Sequence, residues 1–150
     1  MLLGAGVVGA RAQEPSPQAK RVDAAAPVVH EMGSPPFHRV VPKMAMPATL
    51  DPNQFSDPRI RGAYAMAAQI KAVLYQLPCY CGCDKEAGHT NLLDCYTGTH
   101  ASICETCMME GVFAYQQTKA GQNAGQIRAE IERGQWKNIN LNDLLVSRTY

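Results

Sequence analysis

The chain has 150 residues, 46 % of them hydrophobic and 18 % charged, which fits one globular domain. Lys+Arg number 14 against 13 Asp+Glu, so the net charge is only +1, and a nucleic-acid partner is not expected. No apolar run approaches the roughly 18 residues of a membrane span, so none is expected either.

Leu2 to Ala10 form a short apolar stretch, and Ala10-Arg11-Ala12 matches the A-x-A pattern of signal-peptide cleavage. Residues 1–12 therefore read as the remnant of a signal peptide, without its basic n-region. The alternative is a buried N-terminal strand or helix, but polar, Pro-rich sequence follows at once. No Cys stands near the start, so no lipid anchor is expected. The mature protein is expected to be extracytoplasmic, either periplasmic or secreted, where disulfides are permitted.

Nine of the ten prolines lie between Pro15 and Pro58. Each fixes φ and biases its predecessor away from helix. Residues 13–56 read as an extended tether, ordered only where it lies on the rest. His30, Met32, His38, Met44 and Met46 are sparse soft donors within it. They read first as ordinary linker residues, with weak copper capture by Met44-Ala45-Met46 as the sharper alternative.

Residues 57–136 read as the folded domain. Asp57 is a good N-cap and Pro58 suits the first helical position. Ile60, Ala63, Ala67, Ile70, Leu74 and Leu77 then recur at three- and four-residue spacing, which predicts a helix over about 58–77, ended by Pro78. Cys79 to Gly98 reads as a loop punctuated by glycines. A second helix is predicted from Thr99 or Ala101 to Lys119, stopped by Gly121. A third runs from Asn123 to Arg133, with Gly134 as its stop and Trp136 placed to pack on Ile127 and Ile131. The tail, 137–150, carries no clear period. The fold class is mostly α: about three helices around a Cys-rich metal-binding loop, preceded by a Pro-rich extended segment.

All six cysteines fall between Cys79 and Cys107. Crowding of this kind points to metal ligation, disulfides or thiol redox chemistry. Cys79, Cys81 and Cys83 alternate in PCYCGC, so an extended backbone would point them to one face. On the predicted second helix His100, Cys104, Cys107 and Met108 stand at i, i+4, i+7 and i+8, one helical face. Cys104-Glu105-Thr106-Cys107 is also a C-x-x-C at a helix start, where the dipole would lower the pKa of Cys104. His89 and Cys95 lie between the two halves. Thiolate with thioether favours Cu(I), and a closed thiolate site also suits zinc. Met108 taken alone is more often a core residue than a ligand.

At PCYCGC, GHTNLLDC and ICETCMME the chain resembles the PCYCGC-motif family of small exported bacterial proteins and lipoproteins. The likeness covers about residues 58–134 and includes GQNAGQIRAEI as a C-terminal helix. It implies an extracytoplasmic metal- or thiol-based role. The residues that match the family pattern are Cys79, Cys81, Cys83, His89, Cys95, His100, Cys104 and Cys107.

Three functional classes follow. The first is a metal-binding protein that takes Cu(I), or zinc, through these residues and Met108. Its partner would be the metal ion, together with another extracytoplasmic copper-handling protein. The second is an interaction domain stapled by disulfides. The third is a thiol–disulfide exchanger with Cys104 as nucleophile and Cys107 as resolver, ranked last because six clustered cysteines exceed what exchange needs. A c-type haem lacks its C-x-x-C-H, since Met108 follows Cys107.

Overall fold

The computed structural model describes residues 26–146. The expected signal remnant at 1–12 and the last residues, 147–150, lie outside the described residues. Helix α1, Pro58–Gln69, starts where Asp57 and Pro58 predict. The Asp57 carboxylate accepts from the Arg59 N–H at 2.8 Å and so satisfies one of the free donors of the first turn. Ala63, Tyr64 and Ala67 are buried on its inner face.

The stripe predicted to continue to Leu77 is interrupted at Ile70 (φ −123°, ψ 29°), and a short helix α2, Lys71–Leu74, follows. The turn keeps Ile70, Leu74 and Leu77 in the core. It also buries Tyr75, which lies off the stripe, and stacks its ring on His38 with centroids 3.9 Å apart.

The segment predicted as loop contains two single-turn helices, α3 at Cys83–Glu86 and α4 at Asp94–Thr97. Both are too short to carry a hydrophobic period. The Leu92 N–H donates to the Leu77 carbonyl at 2.8 Å and draws the two ends of this segment together. The Asp94 carboxylate accepts from the Thr90 N–H at 2.8 Å and its hydroxyl at 3.0 Å, which sets α4 in place.

The second long helix begins later than predicted. His100–Ile103 is a 3-10 turn, Cys104 is extended (φ −128°, ψ 105°), and α5 runs Glu105–Lys119. The Ser102 hydroxyl donates to the Thr99 carbonyl at 2.6 Å and the Cys104 N–H to that of Ala101 at 3.4 Å. These short-range closures commit the backbone to a tighter turn. The expectation that His100 and Cys104 share a helical face with Cys107 and Met108 is therefore corrected: only the last two lie in α5.

Helix α5 ends with the Gln122 N–H donating to Gln117 and that of Gly121 to Thr118, both at 3.0 Å. Helix α6, Ala124–Glu132, opens on a reciprocal box between Asn123 and Gln126 and buries Ile127 and Ile131. Trp136 packs against the same core. Helix α1 lies chiefly on α5, α6 flanks α5, and the tail turn Leu141–Leu145 packs on α1 through the buried Leu141 and Leu144. No helix among the described residues is long and apolar enough to cross a membrane.

Two short strands, β1 (Val28–Val29) and β2 (Phe37–His38), pair antiparallel with Val28 opposite His38 and Val29 opposite Phe37. Residues 26–39 form a strap across the Cys-rich segment. Phe37 is fully buried, with the Arg128 guanidinium 4.2 Å from its ring centroid. His38 contacts the Ala26 carbonyl through Nδ1 at 2.8 Å and the Thr90 hydroxyl through Nε2 at 3.4 Å.

Candidate metal centre

The loop half of the centre hangs from α5. Glu110 sits three residues beyond Cys107 and is fully buried. Its carboxylate accepts from the Tyr80 N–H at 2.9 Å and so fixes the backbone between Cys79 and Cys81. Gly82 then takes a left-handed conformation (φ 86°, ψ 5°), which a residue with a Cβ adopts only with strain. This turn starts α3 at Cys83. The three thiols of PCYCGC lie within 4.8 Å of one another because the chain turns at Gly82, not because it is extended as the alternation implied.

The helix half is backed by Tyr96. This side chain is fully buried, and its hydroxyl donates to the Cys107 carbonyl at 2.8 Å. Its ring lies so close to α5 that a Cβ on Gly111 would overlap both the hydroxyl and the ring. Tyr96 follows Cys95 directly, so one residue pair locates a thiol of α4 and braces the first turn of α5.

The two halves converge. Sγ separations are 3.4 Å for Cys79–Cys81, 3.5 Å for Cys79–Cys107, 3.5 Å for Cys81–Cys107 and 3.6 Å for Cys83–Cys95. The His89 Nδ1 lies 3.3 Å from Cys95 and the His100 Nε2 lies 3.5 Å from Cys81. The imidazoles meet edge to face with centroids 5.0 Å apart. All six cysteines are free thiols. A tetrahedral thiolate site with bonds of about 2.3 Å has sulfur–sulfur edges of about 3.8 Å, and a disulfide bond is about 2.0 Å, so the spacing suits shared metal ligation.

Donor atoms that can hold a metal ion fall into overlapping groups, each within 4.8 Å. One contains Cys81, His100, Cys104 and Cys107; another Cys83, His89, Cys95 and His100. Cys79 joins Cys81 and Cys83 in a third group, and Cys95 and Cys107 in a fourth. All six Cys, with His89 and His100, are thus brought to one place, whereas His30 and His38 of the N-terminal segment are in none of the groups. Met108 is buried in the adjoining hydrophobic core.

So many thiols in contact cannot all ionise together. Hydrogen bonds to Cys107 and Cys81 push Cys79 up. The Cys79 thiol in turn donates to Cys81 and pulls it down to about 5, outweighing burial, with His100 acting in the same direction. Contacts with Cys107, Cys79 and Cys95 lower Cys83. Cys104 departs from the expectation of a dipole-lowered thiol: burial raises it, and its contacts with Cys107 do not offset this. The thiolate character therefore sits on Cys81 and Cys83.

Glu110, Tyr96 and Tyr80 were not singled out in the sequence. Glu110 had a readable signal, a lone acid at i+3 from Cys107 in the otherwise uncharged MMEGVFA. One of its oxygens is buried without a hydrogen-bond partner, and burial lifts its pKa to about 8.

Fold and centre together define a small helical, Cys-rich domain whose thiols and imidazoles can hold a metal ion. Residues 38–138 match the family described as protein of unknown function with PCYCGC motif, and the chain belongs to that family. Neither a curated protein nor a solved structure matches it.

Proposed function

We propose that the protein binds Cu(I) as its cargo in an extracytoplasmic compartment and serves in copper storage, buffering or delivery. One observation carries the reading: six thiols and two imidazoles meet in overlapping donor groups within 4.8 Å. A lone structural ion needs four ligands, and this centre offers eight. A thiol-rich, His-fringed donor set suits a soft ion, and sulfurs in mutual contact suit ions that share thiolates. The apolar N-terminal stretch ending in Ala10-Arg11-Ala12 supports export. Another extracytoplasmic copper-handling protein is the natural donor or recipient. In this reading Cys79, Cys81, Cys83, His89, Cys95, His100, Cys104 and Cys107 are ligands, and Met108, buried in the core, is a further soft donor.

A structural zinc site is the second reading. Either four-donor group taken by itself favours it: Cys81, Cys104, Cys107 and His100 are a Cys3His set, and Cys83, Cys95, His89 and His100 a Cys2His2 set, both of the closed tetrahedral kind. Metal analysis with thiol titration on protein purified anaerobically from its own host separates the two. The expected result is more than one copper per chain with most thiols masked. One zinc with two or three masked thiols would support the second reading. Full oxidation without metal would overturn both and leave a disulfide-stapled domain.

A further inference from the structure

The two four-donor groups differ in surroundings. In the first, Cys81, His100 and Cys104 are half-exposed and only Cys107 is buried. Ile103, next to Cys104, is 84 % exposed, so this side of the centre opens to solvent. In the second, Cys83 and Cys95 are buried, His89 is half-exposed, and the strap lies against Cys83 and His89. Pro35 and Pro36 line one cleft with Cys79, Cys83 and His89, and that cleft is too tight to admit water. The strap is latched on both sides of the second group. The Ser34 hydroxyl meets the Tyr80 hydroxyl at 3.3 Å, and His38 reaches Thr90, the neighbour of His89.

His100 belongs to both groups. A neutral imidazole offers one lone pair, so His100 serves one ion at a time and can complete either group. Cys79 is buried and lies within 4.8 Å of thiols from each group, the placement of a bridging thiolate.

Resting on the metal-binding reading above, we infer that the centre is divided into an outer exchange lobe and an inner retention lobe. Cys81, His100, Cys104 and Cys107 form the outer lobe, through which an ion enters and leaves. Cys83, His89 and Cys95 form the inner lobe, closed by the strap, and Cys79 and His100 join the two. Ligand exchange needs an incoming donor to reach the ion. Half-exposed ligands permit that approach, whereas a dry cover over buried ligands slows it. The division accounts for a strap that covers one donor group and leaves the other open. It also gives a partner's thiol or imidazole a single face on which to take the metal.

The test uses the full chain, reduced and anaerobic, loaded with Cu(I) and challenged with an excess of a chromophoric Cu(I) chelator. The expected result is release in two phases. Cys104→Ser, a conservative change at a half-exposed site, is expected to abolish the fast phase and spare the slow one. His38→Ala, which unlatches the strap, is expected to accelerate the slow phase by about tenfold or more and leave the fast phase alone. Release of all copper in one phase overturns the division. So does a Cys104→Ser variant in which both phases change equally, or a His38→Ala variant with an unchanged slow phase. A wild-type chain that takes up no Cu(I) overturns the proposed function instead, so the two failures are distinguishable.

Discussion

The PCYCGC turn and the first turn of α5 place their thiols by opposite means. On α5, a regular helix packed along α1 sets the direction of Cys107, and the buried Tyr96 braces it. Cys79, Cys81 and Cys83 sit on irregular backbone, whose shape comes from a left-handed Gly82 and from what grips it at each end. Those grips belong to other elements: the Glu110 carboxylate on α5, and the bond between Leu77 and Leu92 that closes the segment. The helix acts as template and the loop as the adaptable partner. A centre built this way keeps Cys107 fixed on the helix while the donors of the loop adjust to the ion.

The largest expected effect follows from that asymmetry. Stripping bound metal under reducing conditions should release the loop half and spare the helical half. Amide hydrogen exchange across residues 79–100 should speed up greatly, while α1 and the later turns of α5 stay protected. Equal loss of protection in both regions would mean that the helix is no template. Glu110 gives the next largest effect, because it ties the two halves together. Burial raises its pKa from 4.5 to about 8. Below the first value it is neutral in both the folded and unfolded chain. Between the two values the unfolded chain has lost the proton and the folded chain has not, so stability falls as pH rises through this window. Glu110→Gln keeps an oxygen for the Tyr80 N–H and removes the titration. In urea unfolding of the metal-free, reduced chain, the variant should gain on the wild type between about pH 5 and pH 8. Parallel profiles would place Glu110 outside the coupling.

Much of this arrangement was legible in the sequence. Asp57-Pro58 and Asn123 marked helix starts through local hydrogen bonds that the structure repeats, and Gly121 marked an end. The eight Cys and His donors were legible because their side-chain chemistry does not depend on where the backbone carries them. The break at Ile70 was not, since neither Gly nor Pro stands there; it accompanies a tertiary contact, the stacking of Tyr75 on His38 of the strap. The 3-10 turn before Cys104 was hidden for a related reason. Spacings of three and four fit an α-helix and also a tight turn followed by a helix. The donors that the structure brings together were thus grouped for a partly wrong reason. Glu110 and Tyr96 were missed because each acts through burial, which the PCYCGC and C-x-x-C spacings do not report.

One substitution made in the two regions sharpens the contrast further. On helix propensity alone Gly111→Ala should stabilise α5 by about 1 kcal/mol. The added methyl would overlap Tyr96, which is fully buried and cannot swing aside without giving up its bond to the Cys107 carbonyl. The sign should therefore reverse, to a net loss of about 2 kcal/mol in unfolding of the metal-free chain. Gly82→Ala meets no atom within 4 Å, so it costs only the left-handed backbone, about 1 kcal/mol. Its consequence should lie in the centre instead. An alanine that relaxes out of the left-handed region carries Cys83 away from Cys79 and Cys81, and metal affinity should fall by more than the small loss of stability explains. The reverse ranking, with Gly82→Ala the more destabilising and Gly111→Ala harmless, would show that the loop carries the structure. Comparing unfolding midpoints with Cu(I) affinity for the two variants decides which half is the template.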